Sequence, residues 1–381
     1  MKVLFISSWY PTKENPHYGI FVKEHARAIK TTTTDIRVLA VVVLRAKPYI
    51  KVSHREYIDE SGIKTFEIII HSRFRDIIYH LVPLQNRIAY KYYKNSIEAF
   101  FSPDIIHSNV IFPAGIIGDY FAKKLEKPHI ITEHWSKIDG LLKKPYLSSL
   151  ARNSYKRACR ILPVSQFLKE NMLGLLPNLS SDKLKVISNV ISSETFDYKE
   201  KKLHEDEINF CAVATWATKR KPDKKPELFI EALAAVQKMT TKKIRLTMVG
   251  GGNRITELKN LCKQLDLTAD FIGYQTKKQI AVVLHKTDFF VHASTIETFG
   301  VVIVEALMTG TPVICSKVGG LPELIDSSNG VLCQNEVADW VSGIQKIIQA
   351  DFDRKQIADA VRNRFGYESI GKEIASVYET L

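Results

Sequence analysis

Short apolar runs rich in β-branched residues recur along the whole chain, and stretches with helical periodicity separate them. Alternation of this kind, with strands apolar on both faces, is typical of parallel sheets that are covered by helices on both sides. The pattern therefore predicts an α/β fold built from doubly wound parallel sheets. Strands are predicted at 2–7, 36–44, 104–107, 129–132, 161–164, 185–187, 208–214, 244–249, 269–272, 288–291, 312–315 and 330–333.

The length of 381 residues predicts two domains of nearly equal size, because single cores rarely grow this large. We expect an N-terminal Rossmann-like domain over 1–190 and a C-terminal Rossmann-like domain over 208–365. The segment 191–207 is polar and rich in charge, which is typical of a linker. A final helix over 366–381 is expected to pack back on the N-terminal domain. In such a pair of domains, a ligand is expected at the carboxyl ends of the strands, in the cleft where the domains face each other.

Composition favours a globular cytoplasmic protein, with 45% hydrophobic and 25% charged residues. The most apolar run, at 38–44, is too short to span a bilayer, and the first residues lack the long apolar core of a signal peptide. Five widely spaced cysteines show no zinc spacing and favour reduced, buried thiols. They are Cys159, Cys211, Cys262, Cys315 and Cys333.

The positive charge is confined to one half of the chain. Residues 1–190 contain 29 Lys and Arg against 16 Asp and Glu, whereas residues 191–381 contain 25 of each. Such asymmetry indicates that the first half faces an anionic partner: nucleic acid, an anionic membrane surface or a phosphorylated acceptor.

Two stretches of that half combine basic residues with aromatic or apolar ones, at 73–101 and 140–160. Rings lie at lipid headgroups and cations meet anionic lipid, so the pattern favours peripheral contact with the inner membrane face, although the aromatic residues also suit a core. Nucleic acid is disfavoured because no nucleic-acid-binding motif accompanies the charge.

Two glutamates eight residues apart are the main candidates for chemistry. Residues 292–305 follow an apolar strand and indicate a loop that turns into a helix, with Glu297 in the loop and Glu305 in the helix. A helix N-terminus suits a phosphate or a sugar hydroxyl. Each acid considered alone could equally be an ordinary helix residue, but Glu305 lies in an apolar stretch where an acid usually has a purpose.

The segment STIETFGVVIVEALMTGTPVICSKVGGLPELI resembles the signature of glycosyltransferase family 4, whose members have the GT-B fold of two Rossmann-like domains. The resemblance covers almost the whole chain, because further landmarks occur in the family's order. They are SSWYPTKENPHYGIFVKEHA at 7–26, then DIIHSNVIFPAG, ITEHWSK, ILPVSQFLKENM, VISNVISSETF, LTMVGGGN and FIGY.

The resemblance implies specific roles at the matching positions. Glu305 would bind the ribose hydroxyls of the donor nucleotide, and Glu297 would lie by the donor sugar. His134 matches the family's active-site histidine, whereas His107 matches a less constant position and is interpreted as a core residue. Backbone groups would bind the donor at Gly19, Phe299, Gly300 and Val301.

The chain departs from the family in its phosphate-binding segment. The family usually has Gly-Arg after the first strand of the C-terminal domain, whereas this chain has Thr215-Trp216. Lys224 best matches the family lysine that follows, with Lys225 one position away. A diphosphate leaving group needs cations to take up its charge. The missing arginine would be replaced by one of Lys219, Arg220 and Lys221.

The activity implied is that of a retaining hexosyltransferase, which moves a sugar from a UDP- or GDP-sugar to a glycan or lipid-linked acceptor in cell-surface polysaccharide synthesis. The resemblance implies a reaction without a metal or other cofactor. Asp351 and Asp353 form an Asp-x-Asp sequence, but no strand precedes it and helix capping explains it better. A nucleotide-sugar epimerase of similar fold and a non-catalytic binding protein are the alternatives. The base, the sugar and the acceptor are left open.

Overall fold

The computed structural model describes residues 1–15, 18–32, 34–46, 50–135, 137–201, 205–217 and 223–381. Internal contacts divide the chain into two compact units. The first comprises Met1–Val190 together with Tyr367–Leu381, and the second comprises Ile191–Gly366.

The first unit is built on a sheet whose described strands lie in the order β3-β4-β2-β1-β5-β6-β7. All neighbours are parallel except β3, which runs antiparallel to β4 at the edge. The strands are β1 (Lys2–Ser7), β2 (Asp35–Arg45), β3 (Lys51–Ile58), β4 (Lys64–Ser72), β5 (Ile105–Asn109), β6 (His129–Glu133) and β7 (Arg160–Pro163). The helices are α1 (Ile20–Lys30), α2 (Arg75–His80), α3 (Val82–Ser96), α4 (Ile116–Leu125), α5 (Ile138–Leu142), α6 (Pro145–Arg157) and α7 (Gln166–Leu175).

The second unit is built on a parallel sheet whose described strands lie in the order β10-β9-β8-β11-β12-β13. The strands are β8 (Glu207–Val213), β9 (Lys243–Val249), β10 (Thr268–Gly273), β11 (Phe289–His292), β12 (Val313–Ser316) and β13 (Gly330–Cys333). The helices are α8 (Pro226–Gln237), α9 (Ile255–Gln264), α10 (Lys277–Leu284), α11 (Val301–Met308), α12 (Val337–Gln349) and α13 (Arg354–Phe365).

Both sheets have the Rossmann strand order once the edge strand β3 is set aside. Every residue of β5, β6, β11 and β12 is buried, as expected for parallel strands that are covered on both faces. The predicted pair of doubly wound parallel-sheet α/β domains is confirmed. In this fold a ligand lies beyond the carboxyl ends of the strands where the order reverses, which is beside β1 and β5 in one sheet and β8 and β11 in the other.

The last helix, α14 (Tyr367–Tyr378), belongs to the first unit although it follows the second in the chain. Gly371 lets it approach α1 closely, because a Cβ at this position would lie 2.4 Å from the carbonyl oxygen of Ala28. The Tyr378 hydroxyl and His107 Nδ1 form a hydrogen bond of 2.6 Å inside the core.

Two features of the sheets differ from the prediction. Neither strand of the hairpin β3-β4 was predicted: β3 alternates between exposed and partly buried residues and has a polar sequence, whereas β4 is mostly buried and was overlooked. The strand expected at 185–187 does not form. That segment instead runs beside β7, where the Lys185 and Ile187 N–H groups donate to the carbonyls of Ile161 and Pro163 over 3.1 Å each.

The segment predicted as a linker, 191–207, belongs to the second unit where it is described. Ile191 and Phe196 are buried, and the Ile191 N–H donates to the carbonyl oxygen of Phe365 over 2.9 Å. Strand β8 begins at Glu207, within the same segment. The polar composition of this segment therefore did not show that Ile191 and Phe196 are buried. In the part of the chain that the structure describes, we find no helix of the length and hydropathy needed to cross a bilayer.

Candidate active site

Glu297 lies beyond the carboxyl end of β11 and is contacted by two basic side chains. His292 Nε2, at the end of β11, lies 2.8 Å from Glu297 Oε1. Lys224 forms an ion pair with the same oxygen, and its Nζ lies 3.1 Å from His292 Nε2. Burial raises the pKa of Glu297, but His292 and Lys224 outweigh it and bring the pKa down to about 2. Glu297 is therefore ionised at any physiological pH.

His292 was not recognised in the sequence, because it reads as the last residue of an apolar strand. Its ring is buried, and burial together with the Lys224 charge lowers the pKa of His292, so the imidazole is neutral at pH 7. A histidine five residues before the first glutamate is the local signal that could have identified it.

Lys224 is held in place by backbone pairing with the segment that follows β11. It forms an isolated bridge with Ser294, and the Thr295 N–H donates to the carbonyl oxygen of Asp223 over 2.7 Å. Lys225 is the N-cap residue of α8, and its own N–H donates to the carbonyl oxygen of Ala293. Of the two lysines proposed for the phosphates, the structure brings Lys224 to Glu297.

The loop from Glu297 to α11 is shaped by two glycines with left-handed backbones. Gly300 has φ 91° and is the N-cap of α11, where a Cβ would lie 2.6 Å from the Leu321 side chain. Gly319 has φ 56°, and a Cβ there would lie 1.9 Å from the Glu297 carbonyl oxygen. Phe299 is buried against Phe365, with ring centroids 5.5 Å apart.

Val301 is the first residue of α11, so the predicted backbone contacts of Phe299, Gly300 and Val301 lie at a helix N-terminus. The first N–H groups of a helix lack partners within it and carry partial positive charge. This end of α11 is therefore suited to an anion or a sugar hydroxyl.

Glu305 is buried in α11, with 3% of its side chain exposed, and forms an ion pair with Lys277. Lys277 is the first residue of α10 and lies over the ring of Phe196, with Nζ 5.8 Å from the centroid. A buried carboxylate needs a charged or hydrogen-bonding partner, and Lys277 supplies one here. No motif singled out Lys277, which lies 28 positions away in the chain.

Trp216 takes a structural role at the place where an arginine was expected. Its side chain is buried, and its Nε1–H donates to the carbonyl oxygen of Val249 over 3.0 Å. Gly252 lies so close that a Cβ there would be 2.0 Å from the Trp216 carbonyl oxygen. Lys219, Arg220 and Lys221, the candidates to replace the arginine, lie outside the described residues.

His134 follows β6 in the first unit, and its ring is buried. Its Nε2 lies 3.0 Å from Asn109 Oδ1, and its ring centroid lies 4.8 Å from that of Phe21. Burial, assisted by the neighbouring His25, lowers the pKa of His134 well below its usual value. The side chain is thus a neutral group for hydrogen bonding and not a cation.

Glu133 organises the backbone around His134 and was missed in the sequence. The fully buried carboxylate accepts hydrogen bonds of 2.8–2.9 Å from the N–H groups of Ile111, His134 and Trp135, and one of 2.7 Å from the Tyr155 hydroxyl. Burial raises the pKa of Glu133, and these donors oppose the rise.

Gly19 precedes α1 with φ 71°, and a Cβ there would lie 2.1 Å from the carbonyl oxygen of Trp9. The position therefore requires glycine, and it lies in the loop after β1, next to the reversal of strand order. The predicted approach of a donor phosphate to Gly19 stays a prediction.

Three other interpretations can be compared with the structure. Asp353 caps α13, because its Oδ1 accepts the Gln356 N–H over 2.9 Å, which confirms helix capping. His107 is a core residue, hydrogen-bonded to Tyr378 and Thr132. All five cysteines are free thiols, and four of them are buried as expected, whereas Cys159 is partly exposed. Within the described ranges, no cluster of three or more His, Cys, Asp or Glu side chains is suited to a metal ion.

Comparison with known families assigns both halves of the chain. Residues 197–364 match the model described as glycosyl transferases group 1, and residues 44–195 match the model for glycosyltransferase family 4.

Individual relatives are distant but extend over most of the chain. An uncharacterized glycosyltransferase of Methanocaldococcus jannaschii is 28% identical over 84% of this chain and 90% of its own length. The N-acetyl-alpha-D-glucosaminyl L-malate synthase of Bacillus anthracis is 26% identical over 73% of this chain and 74% of its own. Among solved structures, Anabaena HepE in complex with UDP and glucose superposes with a TM-score of 0.70 at 19% identity, covering all of both chains.

Proposed function

We propose that this chain, which belongs to the group 1 glycosyltransferases of family 4, transfers a hexose from a UDP- or GDP-sugar to an acceptor hydroxyl with retention of anomeric configuration. The observation that carries the proposal is the pair Glu297 and Glu305. Glu297 lies in the loop after β11 and Glu305 in the second turn of α11, both are largely buried, and each is held by a lysine. The crystallisation of Anabaena HepE with UDP and glucose supports a nucleotide-sugar donor.

In this proposal Glu305 accepts hydrogen bonds from the ribose hydroxyls of the donor. An ionised carboxylate has up to four acceptor sites, so it can bind two hydroxyls while keeping its contact with Lys277. The ion pair with Lys277 gives this buried carboxylate a charged partner.

Replacing Glu305 with alanine is expected to weaken UDP or GDP binding about 10- to 100-fold, because hydrogen bonds to a charged group contribute about 1.5–3 kcal/mol. Isothermal titration calorimetry with UDP, GDP and ADP measures this loss and identifies the base. Glu336→Ala, at the exposed N-cap of α12, is the matched control and should bind as the wild type does. Unchanged nucleotide affinity in Glu305→Ala would refute the ribose assignment.

Glu297 is proposed to position the donor sugar and to stabilise charge, and not to donate a proton. A general acid needs a pKa near the working pH, whereas the pKa of Glu297 is about 2. The acceptor oxygen then attacks from the same face that the diphosphate leaves, and the leaving phosphate takes the acceptor proton. Lys224 and the N-terminus of α11 take up the negative charge that develops on the diphosphate.

His134 is proposed to hydrogen-bond a hydroxyl of the transferred sugar. Its neutral ring, oriented by Asn109, can donate or accept at neutral pH. The anchoring of the His134 and Trp135 N–H groups on Glu133 supports this role, because it fixes the loop that carries the ring.

The acceptor is proposed to be a glycan or a lipid-linked glycan of cell-surface polysaccharide synthesis, used in the cytoplasm. The excess of Lys and Arg over Asp and Glu in residues 1–190, at 29 against 16, supports an anionic acceptor or an anionic membrane surface near it.

The reaction is proposed to need no metal ion, because Lys224 and the helix N-terminus supply the positive charge that a metal would otherwise provide. Transfer should therefore keep its full rate after dialysis against EDTA. Assays with and without added Mg²⁺ or Mn²⁺ check this. Loss of activity in EDTA and its recovery with either metal would contradict the proposal.

Incubating the purified protein with radiolabelled UDP- and GDP-sugars tests the proposed function directly. Transfer to an added glycan, or slow release of labelled sugar, supports it. Interconversion of the sugar while it stays on the nucleotide would instead indicate an epimerase. Absence of both nucleotide binding and turnover would refute the proposal.

A further inference from the structure

Large apolar side chains are exposed on and beside the short helix α2. Phe74, Ile77 and Leu81 are exposed to 42%, 65% and 43%. Their spacing of three and four residues places them on one side of the helical turn. Tyr146, in the first turn of α6, is exposed to 55%. Water-exposed apolar side chains are ordinary when scattered, but a group of them on one surface indicates an interaction site.

A direct contact brings the start of α6 next to α2. The Nζ of Lys144 lies 3.0 Å from Nε2 of His80, the last residue of α2. Tyr146 follows Lys144 by two positions, in the first turn of α6. We call Phe74, Ile77, Leu81 and Tyr146 the α2 face.

Cations surround the α2 face. The segments 73–81 and 137–146 contain five Lys and Arg against two acids. Arg73 lies over the ring of Phe74, with its guanidinium carbon 4.8 Å from the centroid, and Arg75 lies over the ring of Tyr79 at 5.4 Å. The side chain of Lys143 is 78% exposed and forms an ion pair of 3.4 Å with Asp139, four positions earlier.

A series of aromatic contacts leads from the α2 face to His134. Tyr79, on α2, lies with its ring centroid 5.2 Å from that of Phe112, and its hydroxyl lies beside the Trp9 side chain. The Trp9 ring lies 6.4 Å from that of Phe21, which in turn lies 4.8 Å from the ring of His134.

Trp135 joins this series from the other side, since its ring lies 6.0 Å from that of Trp9. The loops after β1 and β6 therefore bring indole rings together next to His134. Neighbouring rings thus connect helix α2 with His134 within the first unit, and the rings of Phe112 and His134 are buried.

We propose that the α2 face docks the protein on the surface of an anionic lipid bilayer, and that the acceptor reaching His134 is carried by a lipid of that bilayer. The second part rests on the proposed function. Apolar and aromatic side chains insert at the headgroups while cations attract anionic lipid, and the α2 face combines both. A stable protein partner would need about 800 Å² and some 20–30 residues on this side, far more than four exposed apolar residues and their cations provide.

Sedimentation with vesicles tests the docking, using the full chain. Wild-type protein should pellet with phosphatidylglycerol-containing phosphatidylcholine vesicles at low salt, and high salt should release it. The double variant Ile77→Asp/Leu81→Asp should lose most of this binding. Lys143→Gln/Lys144→Gln should weaken it about 5-fold for each lysine removed.

Matched controls come from the same unit. Ile58→Asp changes an equally exposed apolar residue on β3, and Lys123→Gln/Lys124→Gln removes two cations from the last turn of α4. Both should bind vesicles as the wild type does, and circular dichroism should show that every variant is folded. Wild-type protein that stays in the supernatant, or α2-face variants that bind no worse than the controls, would overturn the proposal.

Kinetics separate this proposal from the proposed function. The α2-face variants should keep the wild-type kcat and KM with a water-soluble glycan acceptor, and should show a raised KM with a lipid-linked acceptor in vesicles. Equal KM values for the lipid-linked acceptor in variant and wild type would overturn the lipid-borne acceptor. If the protein pelleted with vesicles as expected but catalysed no transfer, the proposed function would fail while the docking surface stood.

Discussion

Lys224→Ala is expected to lower kcat/KM for transfer about 10²–10³-fold, mostly through kcat, because in the proposed mechanism it removes a cation that takes up the charge developing on the leaving diphosphate. The substitution also takes away one of the two groups that hold the pKa of Glu297 near 2, so that pKa should rise. Steady-state kinetics with the labelled donor, measured from pH 5 to pH 8, reports both effects.

Two further lysine variants make this test specific. Lys225→Ala should lose less activity, since Lys225 caps α8 and the structure does not bring it to Glu297. Lys238→Ala changes an exposed lysine after the same helix and should leave kcat/KM unchanged. If Lys225→Ala lost more activity than Lys224→Ala, the phosphate contact would have to be reassigned.

The second large effect is a loss of stability in acid, caused by histidines buried in the first unit. Burial lowers the pKa of His25 to about 4, and burial likewise lowers the pKa of His129 to about 4. The pKa values of His107 and His134 are also well below the usual one, first because of burial. In the unfolded chain each imidazole has a pKa near 6.5.

The sign follows from which state binds more protons. Between pH 6.5 and about 4 the unfolded chain binds a proton at His25 and His129 and the folded chain does not, so stability falls as the pH is lowered. The loss is about 2 kcal/mol per histidine at pH 5, and about 3 kcal/mol below pH 4. Such losses are large against a typical total stability of 5–15 kcal/mol.

Urea unfolding followed by fluorescence at pH 7.5, 6 and 5 measures this dependence. Because the chain has two units, the transition of the first unit is the relevant one. His129→Gln should make the dependence on pH shallower, whereas His54→Gln, at an exposed site stacked on Tyr92, should not. A midpoint that stays constant from pH 7.5 to pH 5 would contradict this account.

Much of the fold followed from local patterns. Buried parallel strands are apolar on both faces, so β1, β5, β6, β11 and β12 could be located from their sequence alone. The edge strand β3 could not, because half of its side chains face water and its sequence resembles a polar loop. The apolar run at 185–187 was mistaken for a strand. In the structure the neighbouring Leu184 pairs with Ile161 only through an isolated bridge, which is not enough to form a strand.

Some residues of the candidate site could likewise be predicted from the sequence, and others could not. Glu297 and Glu305 were found because their spacing around a glycine-initiated helix is a local motif, and Gly19 and Gly300 proved to have backbones that require glycine. Glu133 was overlooked because a buried acid that accepts hydrogen bonds from backbone N–H groups belongs to no periodic pattern in the sequence. Its importance depends on Tyr155, which lies 22 residues further along the chain.

The amino-acid sequence was sufficient for the family, for the parallel α/β architecture and for the two glutamates, because periodicity, turn glycines and short motifs are properties of neighbouring residues. Packing alone decided which cations meet those glutamates. Lys224 and Lys277 lie 73 and 28 positions from their carboxylate partners, and only the folding of β8, β10 and β11 into one sheet brings them together. Packing likewise placed Lys144 against His80 of α2, 64 positions away. Polar partners so distant in the chain cannot be recognised from the sequence, because no local pattern links them.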